Sequence, residues 1–242
     1  SIPNTGNGVR VIDATGTVFR GCTVTDNPFV YYNVISGNKR NGIHVTDSDN
    51  TVVQANFFGV GMDNTTIVPN KLNGMLFDGD SKKPHVGGVI PLGNVAAGNG
   101  QNGIAVRDTV SGFITFNTFG GLLAFKGAAP NKHSGLLVSS TGGNNFARTN
   151  VFSGNRRHGI HLTGNAKGMT IDPNIIGLST KGDTPLRNNG NGILVDGNAR
   201  GNTIGGNRVS VIPQNASSGN VGYGLVFAGL LLTTGSLGDR FG

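Results

Sequence analysis

The chain has 242 residues and a net charge of +7, from 19 Lys and Arg against 12 acids, every one of them Asp. Glycine is abundant at 42 residues, but no Gly-X-Y period exists and Pro is only 9, which excludes collagen; apolar residues recurring in register exclude a flexible low-complexity chain. A single cysteine excludes an intrachain disulfide framework, and the longest apolar run near the end, Gly229-Leu230-Leu231-Leu232, is far too short to cross a membrane, so no membrane insertion is expected.

Without Glu, and rich in Asn, Asp, Gly and Thr, the chain favours turns and strands over helices. In chain order the first predicted strand is Gly8-Val9-Arg10-Val11, and its pattern of glycine, apolar, free, apolar returns seven times. The copies are Gly42-Ile43-His44-Val45, Gly74-Met75-Leu76-Phe77, Gly103-Ile104-Ala105-Val106, Gly135-Leu136-Leu137-Val138, Gly159-Ile160-His161-Leu162, Gly192-Ile193-Leu194-Val195 and Gly224-Leu225-Val226-Phe227. Glycine in this setting reads as turn chemistry. Each tetrad is followed by a second strand-like run, such as Thr51-Val52-Val53, Gly112-Phe113-Ile114-Thr115-Phe116 or Gly168-Met169-Thr170-Ile171. A shorter third run comes next, as in Asn56-Phe57-Phe58-Gly59, Asn117-Thr118-Phe119-Gly120, Asn150-Val151-Phe152 and Asn174-Ile175-Ile176-Gly177. Cys22, among Gly21, Thr23 and Val24, reads as a buried structural thiol.

Repeats of about two dozen to the mid-thirties of residues, with three short strands each, satisfy their backbone groups only by pairing every strand with its counterpart one repeat above and below. That arrangement is a parallel β-helix. The expectation is one domain over residues 1–242, with about eight coils between residues 6 and 227 and a tail or cap at 228–242. Ile43 and Val45 then stack on the equivalents Ile104 and Val106 of other coils, and the middle residue of each tetrad faces out. A longer period is superimposed: Asn33-Val34-Ile35-Ser36-Gly37-Asn38 matches Asn150-Val151-Phe152-Ser153-Gly154-Asn155, so short and long coils alternate. Three long loops, near 60–72, 121–133 and 178–189, should emerge on one side and form a candidate interaction face.

Taken together, the strings Asn33-Val34-Ile35-Ser36-Gly37-Asn38, Asn41-Gly42-Ile43-His44-Val45 and Asn202-Thr203-Ile204 resemble the degenerate repeats of the right-handed parallel β-helix, or pectin-lyase-like, superfamily, from about Gly6 to Phe227. The resemblance implies the right-handed fold, an extracellular or cell-surface setting and a connection with polysaccharides. Its catalytic signatures are missing. No Asp-Asp dipeptide of the polygalacturonase kind exists, Asp172-Pro173-Asn174 lacks the His and Glu of the epimerase motif, and no Arg-x-Pro-x-x-Arg of the pectate lyases occurs.

Several residues carry candidate chemistry. His44 and His161 share the outward position of their tetrads, and His161, preceded by Arg156, Arg157 and His158, is the stronger candidate for proton transfer. They sit four coils apart, about 19 Å, so they cannot act together. Lys39-Arg40 and Arg156-Arg157 occupy identical places before the tetrad and suit the carboxylates or sulfates of an acidic glycan; solubilising turn charge is the alternative. Asp13, Asp47, Asp78, Asp108 and Asp196 follow the first strand, where a carboxylate column suits Ca²⁺ and, more simply, turn capping. The many Asn residues, among them Asn41, Asn56, Asn102, Asn117, Asn150 and Asn174, are expected to stack into amide ladders. Asn64-Thr65-Thr66 has the form of a glycosylation acceptor.

Two functions follow. The first is a non-catalytic extracellular or cell-envelope solenoid that binds carbohydrate or serves as a spacer. The alternative is a lyase, hydrolase or epimerase of uronate-containing glycans, with His161 moving the proton, Asp108 or Asp47 as acid or metal ligand, and Lys39, Arg40, His44, Arg156, Arg157 and His158 holding substrate. An anionic polysaccharide is the expected partner; nucleic acid is disfavoured, because the Phe residues mostly fall on inward positions and Trp is zero. Open solenoid ends invite end-to-end self-association.

Overall fold

The computed structural model describes residues 3–23, 30–210 and 225–227. Among them the chain winds into three parallel sheets. The first has eight strands in strict chain order: Val9–Ile12, Ile43–Thr46, Met75–Asp78, Ile104–Val106, Leu136–Val138, Ile160–Leu162, Ile193–Val195 and Leu225–Phe227. Second and third sheets of seven strands each complete the coils, and one antiparallel pair, Cys22–Thr23 with Val30–Tyr31, interrupts the first coil. No helix is present among the described residues. Six coils, from Ile43 to Ser210, run through all three sheets without interruption, fewer than the eight that the tetrads suggest. The difference lies at the ends: the hairpin breaks the first coil, and only Leu225–Phe227 of the last is described. The tail at 228–242 and the Cys22 side chain lie outside the described residues.

Register follows the tetrads residue for residue. Ile43 pairs with Met75 and Met75 with Ile104, while Val45, Phe77 and Val106 form the next inward column. These side chains are all at 0% exposure. The third sheet adds Phe58, Phe152 and Ile176 to the same interior. Each such burial is worth roughly 1.5–3 kcal/mol, so stacked coils stabilise what no single coil can.

The tetrad glycines are there for a reason other than a turn. Gly42, Gly74, Gly103, Gly135 and Gly159 do not have positive φ. A Cβ on Gly103 would lie 2.7 Å from the Gly135 carbonyl oxygen of the next coil, and one on Gly42 would lie 2.8 Å from the Phe58 ring. Close approach of backbone and core side chains excludes any side chain there. Turn chemistry belongs instead to a second set, including Gly37, Gly59, Gly98, Gly121 and Gly154 at φ between 71° and 96°.

Buried asparagines form ladders along the axis, as expected. The longest joins Asn4, Asn38, Asn70, Asn99, Asn131, Asn155 and Asn188 through side-chain amides at 2.8 to 3.0 Å. A second joins Asn7, Asn41, Asn73 and Asn102. A third joins Asn150, Asn174 and Asn207, and Asn56 continues the same corner through Asn94. Asn117 belongs to none of them: it lies in the left-handed region at φ 46° and donates to the Gly88 carbonyl.

The three long loops do leave one corner, each closed by an antiparallel bridge: Val60 with Ile67, Leu122 with Ala128, and Leu178 with Pro185. Neighbouring long loops touch, since the Asn64 amide donates to the Ala124 carbonyl, which ties down the side chain of the candidate glycosylation acceptor.

Candidate functional site

The outward column of the first sheet runs Arg10, His44, Leu76, Ala105, Leu137, His161 and Leu194. Neither histidine simply faces solvent. His44 Nε2 lies 2.9 Å from Asp78 Oδ1, and His161 Nε2 lies 3.0 Å from Asp196 Oδ1. Their side chains are only 17% and 20% exposed. In both cases the carboxylate comes from the following coil, at the residue just after the inward pair, so the same register builds the dyad twice. An ionised carboxylate only accepts, so each Nε2 carries the proton and donates it, leaving Nδ1 as the nitrogen able to take up a proton.

The second dyad has an additional imidazole. The His158 ring sits 5.1 Å from that of His161. It occupies the column of Asn41, Asn73, Asn102 and Ser134, where the ladder atom accepts a backbone N–H from the neighbouring coil. His158 Nδ1 does the same, accepting the Asn191 N–H at 3.0 Å. Burial, then the nearby His161 and Arg157 charges, push the His158 pKa down to about 4, so the ring is a neutral acceptor at physiological pH. Burial raises Asp196, but hydrogen bonds from Thr163 and His161 and the charges of His161 and His158 outweigh it and hold the carboxyl below its ordinary value.

A pH dependence follows from His158. Because the fold favours its neutral form, the stabilisation is complete above about 6.5 and is lost as the pH falls toward about 4. The urea midpoint should decline across that window. His158→Asn keeps an acceptor at the ladder position and cannot protonate, so its midpoint should be flatter there; an identical decline in the variant would contradict the assignment.

The cations form a row. Lys39, Lys71, Gly100, Lys132 and Arg156 each follow a long-ladder asparagine by one residue, and each donates its backbone N–H to the preceding coil. Arg40, Leu72, Gln101, His133 and Arg157 form the adjacent column. Lys39, Arg40, Lys71, Lys132, Arg156 and Arg157 are exposed, and none has an ion pair among the described residues. His133, between two such positions, is held below its usual pKa by burial and then by the Arg157 charge.

The structure therefore assembles Lys39, Arg40 and His44 at one level and Arg156, Arg157, His158 and His161 at another, four coils or about 19 Å apart. Asp47 follows the lower histidine's strand, and Asp108 lies two coils, about 10 Å, from His161. Neither is the carboxylate that touches His161. Asp13, Asp47 and Asp108 hold left-handed turns at φ 49° to 54°, where Asp is tolerated, and Asp47 and Asp108 accept backbone N–H groups of Asp80 and Gly79. Asp78 and Asp196 stand in the column before them. Among the described residues no three His, Cys or Asp side chains converge as a metal site. The dyad partners Asp78 and Asp196 lie 34 and 35 residues after their histidines, one coil away, and sequence reasoning missed them: the only signal was their place in the column after the inward pair, and the register between coils sets each against its imidazole.

Phenylalanine also departs from expectation. Phe58, Phe77, Phe113 and Phe152 point inward, but Phe57, Phe119 and Phe146 lie on outward columns and Phe125 is 71% exposed. In a three-sheet coil the two apolar residues of the third strand face opposite ways, so adjacent Phe57 and Phe58 cannot both be core.

No curated protein matches the chain in sequence. Among solved structures, a double mutant of the periplasmic alginate epimerase AlgG has the same fold, with a TM-score of 0.53 at 15% identity. The match covers 92% of this chain and 47% of that one, so the chain spans about half the neighbour's length. Residues 28–229 match the family described as "Right handed beta helix region". With that match over most of its length, and with sheets stacked coil on coil, the chain belongs to the right-handed β-helix family.

Proposed function

We propose that the protein is a glycan-binding β-helix of the cell envelope or the extracellular space, and that it holds an acidic polysaccharide along the cationic edge of the first sheet. The observation that carries this is the row of Lys39, Lys71, Lys132 and Arg156, flanked by Arg40 and Arg157: exposed, without acidic partners, and stepping at about 4.8 Å per coil beside one face. Uncompensated cations in register attract a linear polyanion and give guanidinium groups bidentate access to carboxylate or sulfate. The periplasmic alginate epimerase that shares the fold lends the glycan reading its setting.

Isothermal titration against alginate, pectate, heparin and neutral dextran tests the reading. Binding to the anionic chains and not to dextran is expected, weakening as salt rises. Replacing Lys132, Arg156 and Arg157 together by Gln should weaken it by at least about tenfold, the sum of several surface ion pairs. Equal affinity for dextran, or no loss in the triple variant, would sink it.

A second reading rests on one further observation: His161 is oriented by Asp196 and has a neutral imidazole 5.1 Å away, an arrangement suited to moving a proton on a bound uronate. His44, with its own Asp78, supplies an internal control. Unsaturated products or new reducing ends from alginate or pectate, lost in His161→Ala and kept in His44→Ala, would establish the enzyme; glycan binding with no product leaves the binder.

A further inference from the structure

A cleft of about 400 Å³ opens over the third sheet, away from the histidine column. There the outward column is apolar from Val34 through Ile175 and ends in Arg208. At Phe57 and Val95 this surface is covered: Tyr32 stacks on Phe57 with ring centres 4.3 Å apart, and long-loop residues pack above it. Further along, the outward residues Phe119, Val151 and Ile175 become the floor of the cleft, with Ile90 and Phe125 at its rim. Ile90 is 74% exposed, and the Phe125 ring meets the Phe119 ring edge-on at 5.5 Å. The volume falls in the range of small-molecule sites.

One charge borders this apolar space. Arg208 donates to the Gly182 carbonyl at 3.0 Å and has no ion pair among the described residues. Asp183, on the same loop as Gly182, is bonded to Ser179 and Thr184 instead. An unneutralised guanidinium beside a concave apolar floor selects a ligand with the opposite charge at one end and an apolar body.

We propose that this cleft binds an amphiphilic organic monoanion, its apolar body lying across Phe119, Val151 and Ile175 and its oxyanion on Arg208. The site is independent of the cationic edge and of the histidine dyads. The test is titration of the full chain with decanoate and with decanol, the uncharged molecule of equal length. Decanoate should bind at one site and more tightly than decanol, and Arg208→Gln should cost decanoate about tenfold, the scale of one charge-assisted hydrogen bond, while leaving decanol unchanged. Phe125→Asn is the second variant: Phe125 sits at φ 55°, where Asn is tolerated, so the fold survives while both ligands lose affinity. Equal binding of decanoate and decanol, or decanoate affinity untouched by both substitutions, overturns the proposal. So does sedimentation showing a dimer that Phe125→Asn dissociates, since a second copy would then fill the cleft.

Discussion

Asn131→Ala is expected to cost the fold about 3–5 kcal/mol, as much as a large cavity in a core, although no apolar contact is at stake. Asn131 is at 0% exposure in the middle of the longest ladder. Its Oδ1 accepts both the backbone N–H and the side-chain amide of Asn99 at 3.0 Å. Its Nδ2 donates to the Ala96 carbonyl at 2.9 Å and to Asn155 Oδ1 at 3.0 Å. Alanine strips the buried Asn99 backbone N–H and Asn155 Oδ1 of these bonds and breaks the ladder, while Asn99 Nδ2 and the Ala96 carbonyl keep their bonds to the Phe58 and Ala97 carbonyls and to the Gly121 N–H. Asn131→Asp keeps the volume but turns the donor into an acceptor that faces two other acceptors, so it should be at least as damaging. Asn4→Ala at the ladder's end, where one side-chain bond to Asn38 is lost, should cost under about 1 kcal/mol. Urea unfolding followed by circular dichroism measures all three; an Asn131→Ala loss as small as that of Asn4→Ala would refute the buried ladder.

Gly135→Ala has the second large effect. Its Cβ would lie 2.8 Å from Phe152 Cδ1, 2.9 Å from the Gly159 carbonyl oxygen and 3.1 Å from Asn155 Nδ2. Two of the three neighbours are fixed: Phe152 is fully buried, and the carbonyl belongs to the next coil's backbone. One methyl group therefore has to separate coils, and a loss of about 3 kcal/mol is expected from such overpacking. Gly127→Ala, whose Cβ would meet nothing within 4 Å and whose φ is not positive, should stay within about 0.5 kcal/mol of the parent. Truncating the ring in Phe152→Leu should recover part of the Gly135→Ala loss but not all, because the carbonyl contact remains. Thermal unfolding of the single and double variants reads the coupling. Additive losses in the double variant would mean that the ring is not what excludes the methyl group.

Much of the candidate surface is legible in the sequence. Aligning the tetrads puts His44 and His161 in one column and Lys39-Arg40 and Arg156-Arg157 in one flank, and the structure keeps those placements. What the alignment concealed was cross-coil contact. Asp196 looks like a turn residue until the next coil's register sets it against His161, and His158 looks like part of a basic cluster until it is seen to stand in an asparagine's place in a ladder. Asp108 and Asp47, attractive as acids in sequence, are occupied in left-handed turns.

The sequence by itself determined the repeat, its three strands, the inward columns, the ladders and the corner from which the long loops leave. All of these follow from period and residue type, because a coil that cannot bury its own face or pair its own backbone has to stack on its neighbours. Only the tertiary structure decided which carboxylate meets which imidazole, why the tetrad glycines admit no methyl group, and that the third sheet turns Phe119 and Ile175 outward into a cleft beside Arg208. Those depend on distances between coils of a few ångströms, which a repeat of unequal length leaves open until the coils are closed.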